Sequence, residues 1–283
     1  MKFWMATAFV ATDEVLPLAR AADAAGIHGI TVSDHLFEPQ ERRSPYPYSP
    51  DGAPPFAPDA AWPDPWILIS AMAAVTERIR FTTNIYVAPL RELFTVAKLV
   101  STASVISGGR VAMGAGPGWC QEEFDQVGQA FNKRGARLEE MIDVLHQLWA
   151  GGWVEHHGEH YDFAPLRIEP VPKERVPVYI GGHSEIALSR AARVGDGWIG
   201  NAYAPDEAEH YVGLLRDHLK AADRLDDPDF EVILGLMEMP SQHLHERAAQ
   251  VGITGLLCAP HVFAPSIEER PAAIEAFGAE FCR

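Results

Sequence analysis

The chain has 283 residues, 47% of them hydrophobic and 22% charged, with a formal net charge of −16. That length suits one barrel or two ordinary domains, and such acidity excludes a general attraction for nucleic acid or anionic membrane surfaces. No apolar run approaches the roughly 18 residues of a membrane span, and three scattered cysteines, Cys120, Cys258 and Cys282, point to a reduced, cytoplasmic setting and no metal framework.

The N-terminal Lys2-Phe3-Trp4-Met5 reads as the start of a strand rather than as a signal peptide. Short apolar strands are expected at 3–9, 28–33, 79–87, 110–114, 177–181, 197–200, 231–237 and 254–259. Helical stretches at 13–25, 65–78, 92–107, 119–150 with a break, 184–194, 205–222, 242–251 and 266–280 alternate with them. Gly26, Gly195 and Gly252 stand where helices should stop before the next strand. Over 134–149 the helical period is clear, with Leu138, Met141, Ile142, Leu145, Leu148 and Trp149 on one face. Eight strand–helix units predict an α/β fold, a single (β/α)8 barrel over 1–283. The rival doubly wound sheet calls for a G-x-G-x-x-G after the first strand, and the sequence has none there.

Two segments stand outside the repeat. Residues 37–64 hold eight prolines together with Tyr46, Tyr48, Phe56 and Trp62, and read as a lid over the C-terminal face of the barrel. Residues 152–176 read as an inserted hairpin turning at Gly158. Its His156, His157 and His160 lack zinc-motif spacing and alternate between strand faces, so no metal site is expected.

Several turns carry chemistry. At Gly114, Gly116 and Gly118 a strand meets a glycine-rich turn, but Trp119 replaces the glycine of a dinucleotide loop and Pro117 removes an N–H. The turn is therefore either a flat patch against a cofactor ring or a tight strand–helix connection. Gly181-Gly182-His183-Ser184 leads from a strand to a helix start, with Ser184 as N-cap, and offers backbone N–H groups to a phosphate. With five lysines in the chain, backbone is the expected phosphate ligand. Asp34-His35 ends the second strand beneath the lid, placed for proton transfer or for a structural hydrogen bond. Asn84-Ile85 lies near the end of the third strand, where Asn could face a ring or simply be exposed.

In order along the chain, Val32-Ser33-Asp34-His35, Asn84-Ile85, Gly109-Arg110-Val111 through Gly118-Trp119, Phe131 to Arg137, Gly181-Gly182-His183-Ser184 and Ala192 to Trp198 form a recognisable set. Over about residues 3–260 it resembles the luciferase-like flavin and deazaflavin oxidoreductases, and most closely their coenzyme F420-dependent branch. The resemblance implies a (β/α)8 barrel with the cofactor across its C-terminal mouth. Asn84-Ile85 would form a non-prolyl cis peptide behind the ring, 114–118 would line the ring, and 181–184 would take the phosphate. His35 would sit near the reactive ring carbon, with Asp34 fixing its tautomer or the loop. Relatives that oxidise sugar phosphates carry glutamate where this chain has Trp119, so Trp119 and Trp62 are expected to wall a pocket for an apolar or conjugated small molecule. The same resemblance implies a homodimer. It also leaves open an FMN-dependent monooxygenase served by a separate reductase, or a non-catalytic cofactor-binding barrel.

Overall fold

A computed structural model describes residues 1–282. Its strands are β1 (Lys2–Ala6), β2 (Gly29–Val32), β3 (Arg80–Thr83), β4 (Val111–Ala115), β5 (Val154–His157), β6 (Asp162–Leu166), β7 (Val178–Gly181), β8 (Gly197–Tyr203), β9 (Glu231–Leu236) and β10 (Gly255–Cys258). Strands β5 and β6 form the inserted antiparallel hairpin. The other eight close into a parallel barrel in the order β1-β10-β9-β8-β7-β4-β3-β2, which excludes the doubly wound sheet. The helices are α1 (Val15–Ala24), α2 (Pro65–Ala73), α3 (Leu93–Ser107), α4 (Gln121–Val127), α5 (Arg134–Trp149), α6 (Glu185–Val194), α7 (Pro205–Ala221), α8 (Gln242–Val251) and α9 (Arg270–Phe281). Among the described residues no helix is long and apolar enough to cross a membrane.

Most barrel strands carry apolar residues on both faces because both faces are covered, while β3 buries Thr82 and Thr83 beside Phe81. Outward residues such as Met5, Ile30, Phe81, Met113, Ile180 and Leu234 join the helices in one core. Inward residues Trp4, Ala112, Tyr179, Ile199 and Ile233 fill the barrel itself. All six residues of the apolar face predicted on α5 are buried.

Two departures from the sequence reading are local. The third strand stops at Thr83 because Tyr86 N–H donates to Gly114 across the sheet, leaving Asn84 and Ile85 as a bulge. The break expected within 119–150 falls between Gly128 (φ 70°) and Lys133 (φ 59°). Gly26 and Gly252 take the left-handed conformation expected after a helix, but Gly195 has φ −91°. There the reason for glycine is space, since a Cβ would meet Ala191 O and Ile180 Cγ1, each at 2.9 Å.

Of the two insertions, only 37–64 reaches the mouth. The hairpin lies against α3 and α5, with Phe163 packed on Phe94 and Glu140 accepting from the N–H groups of His160 and Tyr161. His156 faces Glu140 while His157 pairs with Asp162, so these histidines have separate partners.

The lid is tied down by α4. Glu122, in the first turn of that helix and buried, accepts from the N–H of Arg43 (2.5 Å) and Ser44 (3.1 Å). Ser44 Oγ in turn accepts from Gln121 N–H at 3.0 Å and so satisfies a free donor at the start of α4. Burial of Glu122 favours its neutral form, but the hydrogen bonds from Ser44 and Arg43 outweigh this and bring its pKa from 4.5 to about 2. A carboxyl with a depressed pKa stabilises the tie fully above its ordinary range, and that contribution is lost as pH falls from 4.5 toward about 2. Amide hydrogen exchange should therefore show protection of Arg43 and Ser44 declining across that window. In Glu122→Gln the protection should start lower at neutral pH and vary less with acid.

Candidate active site

The C-terminal ends of β2, β3, β4 and β7 bring the predicted site residues to one mouth. Neighbouring residues at a strand end point to opposite sides, and Asp34 and His35 divide accordingly. Asp34 is fully buried and pairs with Arg91 at 2.6 and 2.7 Å, while accepting from Val87 N–H at 2.9 Å. Burial opposes the charge on Arg91, yet the Asp34 carboxylate beside it raises the guanidinium pKa. Arg91 also lies over the ring of Tyr86, 4.5 Å from its centroid. Of the two roles expected for Asp34, its partners Val87 and Arg91 match the fixing of a loop, the one after β3, and not the setting of the His35 tautomer.

That role falls to Glu123. Its Oε2 lies 3.1 Å from His35 Nδ1, and its Oε1 accepts from Leu36 N–H at 2.6 Å. An ionised carboxylate only accepts, so Nδ1 carries a proton and Nε2 is the ring atom at which a proton can be gained or lost. Glu123 was not singled out from the sequence because acids in a first helical turn are explained by the helix dipole alone. The one available signal is its adjacency to Glu122, two acids directly after the glycine turn.

The Asn84–Ile85 peptide is cis. Ile85 fills the floor of the mouth, seated on two glycines. A Cβ on Gly116 would fall 1.9 Å from Ile85 Cδ1, and one on Gly181 would fall 2.5 Å from Ile85 Cγ2. A Cβ on Gly114 would collide with Thr83 O at 1.8 Å, and one on Gly118, whose φ is +82°, with Val87 Cγ1 at 2.4 Å. The three glycines of the 114–118 turn are therefore required first by the 83–87 segment packed against them. The turn is buttressed from behind, where Arg134 donates to Gly118 O at 2.8 Å and Arg137 to Pro89 O at 3.2 Å. This accounts for the Phe131–Arg137 motif.

Across the mouth, Gly182 adopts φ +102° and its carbonyl accepts from Trp198 Nε1 at 2.6 Å. Ser184 caps α6 by accepting from Ala187 N–H at 3.3 Å. The backbone N–H groups of His183 and Ser184 donate to no backbone carbonyl among the described residues, which suits them to an anion. The turn is held by Trp198, so the Ala192–Trp198 motif supports it from the next strand. His183 stacks on Tyr211 at 5.2 Å with Tyr48 of the lid edge-on at 4.9 Å. Burial lowers the His183 pKa and keeps the ring neutral near pH 7.

Between these two sides runs a band of aromatic rings. His35 lies 4.9 Å from Trp62, 5.6 Å from Phe56 and 5.6 Å from Trp119. Tyr46 meets Trp119 at 5.3 Å and Tyr48 at 5.4 Å, extending the band to His183. Burial pushes the Tyr48 phenol up to about 12, so it stays a neutral hydroxyl. Trp62 and Trp119 thus flank His35 as walls, and Phe56, Tyr46 and Tyr48 join them from the lid.

The glycine cradle at 181–184 and the flat aromatic mouth fit a phosphorylated planar cofactor, and comparison with known proteins agrees in fold. The chain is 36% identical over 216 residues to an uncharacterized protein of Mycobacterium tuberculosis, covering 76% of this chain and 75% of that one. It is 30% identical over 218 residues to an F420-dependent glucose-6-phosphate dehydrogenase of Mycolicibacterium fortuitum, covering 75% and 60%. Among solved structures, an F420-dependent secondary alcohol dehydrogenase in complex with an F420–acetone adduct superposes with a TM-score of 0.77 at 16% identity, covering 99% and 98%. The oxygenating constituent of a Pseudomonas putida 3,6-diketocamphane monooxygenase, in complex with FMN, superposes with a TM-score of 0.65 at 16% identity, covering 89% and 71%. The model of the luciferase-like monooxygenase family matches residues 4–271. A closed parallel barrel with this mouth, matched over nearly its whole length, belongs to the luciferase-like monooxygenase family.

Proposed function

We propose that the protein is a coenzyme F420-dependent oxidoreductase acting on a small, flat organic molecule. The observation that carries this reading is the His35–Glu123 pair set among aromatic walls, across the mouth from the 181–184 cradle. The 30% identity to an F420-dependent dehydrogenase supports the deazaflavin over the flavin.

When bound, the deazaflavin supplies hydride chemistry. The backbone N–H groups of His183 and Ser184 would hold its phosphate, and Ile85, seated on Gly116 and Gly181, would support its ring. His35 would give or take the accompanying proton at Nε2, with Glu123 holding the ring in place through Nδ1. The lid, closed over the mouth by Glu122 and its own aromatic residues, would keep water from the reacting atoms. Aromatic walls offer few hydrogen bonds to a sugar, which favours conjugated substrates over sugar phosphates.

Fluorescence titration of the cofactor-free protein with F420 and with FMN should give the lower dissociation constant for F420. Tighter binding of FMN, with O2 uptake in the presence of reduced FMN, would place the protein with the flavin monooxygenases instead. Reduction of cyclohexenone by reduced F420, followed by the return of F420 absorbance, tests the roles in the site. His35→Ala should lower kcat by about 10²–10⁴-fold. Glu123→Gln should lower kcat less and displace its pH profile, because an amide can donate to Nδ1 and reverse the tautomer. Undiminished turnover in His35→Ala would remove the acid–base assignment.

A further inference from the structure

Arg42 lies in the lid with its side chain only 13% exposed. Its guanidinium carbon is 5.3 Å from the ring centroid of Phe56 and 5.3 Å from that of Trp119. Both rings also stand 5.6 Å from the imidazole of His35. The cation therefore shares its aromatic walls with the residue assigned to proton transfer. Nη2 donates to Glu38. Nε is buried and has no hydrogen-bond partner among the described residues.

Glu38 engages the guanidinium through Nη2 alone, and the other carboxylates of the mouth are committed elsewhere. Glu122 serves Arg43 and Ser44, Glu123 serves His35 and Leu36, and Asp34 serves Arg91. A guanidinium presents its N–H groups as a planar fork that matches a carboxylate through two parallel bonds. Sandwiched between aromatic faces, it is shielded from water, which strengthens such a pair. An acceptor from outside the chain would complete Arg42, and a flat body attached to that acceptor would lie along the rings that flank His35.

We propose that Arg42 recognises a carboxylate on a conjugated substrate, an assignment that rests on the oxidoreductase reading of the site. The aromatic rings take the conjugated body and Arg42 takes the acid group, which sets the orientation of the body against His35. Arg42 is thus a specificity-determining residue that selects acids over their neutral analogues.

The test uses trans-cinnamate and trans-cinnamamide, of the same shape but differing in charge. Each is titrated into the full-length protein with and without F420, following quenching of tryptophan fluorescence, and F420 is titrated separately. The acid should bind about tenfold more tightly than the amide or better. Arg42→Met should erase that preference, and Arg42→Lys should retain part of it, because the charge survives and the fork does not. Equal affinity for acid and amide in the unmodified protein, or no binding of either, overturns the proposal. So does an undiminished preference in Arg42→Met. A loss in Arg42→Met confined to F420 affinity also overturns it, and assigns the guanidinium to the anionic tail of the cofactor. If F420 fails to bind while the preference for the acid persists, the cofactor reading falls and the carboxylate site stands.

Discussion

Two neighbouring carboxylates at the start of α4 set the geometry of the whole mouth. Glu122 and Glu123 are both buried, and a buried carboxylate must be fully hydrogen-bonded to remain charged. Their partners are the backbone N–H groups of Leu36, Arg43 and Ser44, the thiol of Cys120 and one ring nitrogen of His35. Meeting the needs of these two acids therefore orders Leu36, Arg43 and Ser44 and orients the imidazole together. The lid is held by electrostatics at its stem and by ring contacts at its tip, where Phe56 and Trp62 meet Phe9 from the loop after β1.

The fold was legible in the sequence because short, largely apolar runs alternate with helical stretches along the whole chain. All eight barrel strands fall where those runs predict them, with ends shifted by a few residues. The mouth was legible in its parts as candidates: residue type and position left His35, Asn84, Ile85 and the glycine turns open between site and scaffold, and the family resemblance drew them to one place. How the parts connect was not. Asp34 and His35 are adjacent in sequence, which suggested a partnership, but the strand turns them to opposite sides. Glu123 lies 88 residues from His35, and no periodicity reaches across that distance. The glycines at 114, 116 and 118 suggested a surface for a ligand. Their more immediate duty is to admit Thr83, Ile85 and Val87, contacts that depend on how β3 leaves the sheet.

The distribution of charge follows the same logic. A chain with net charge −16 surrounds its mouth with two shielded guanidiniums, Arg91 over Tyr86 and Arg42 between Phe56 and Trp119. Arg91 is neutralised by Asp34 within the scaffold. Arg42 belongs to the lid, pairs with Glu38 through Nη2 and keeps Nε without a partner among the described residues. The acidity of the molecule as a whole is thus a poor guide to the ligand, because a low-dielectric pocket responds to its nearest charge far more than to the sum over the surface.

Ser44 has one further consequence. Its hydroxyl occupies the first turn of α4, so the lid provides the N-terminal cap of the helix that carries its own two anchors. Lifting the loop uncaps α4 at the moment its glutamates lose their donors, and fraying of α4 withdraws both glutamates from the loop. The latch and the post on which it closes come undone together. A half-raised loop would leave buried charges and helix donors unpaired at once, so the contacts favour the fully docked loop over intermediate positions.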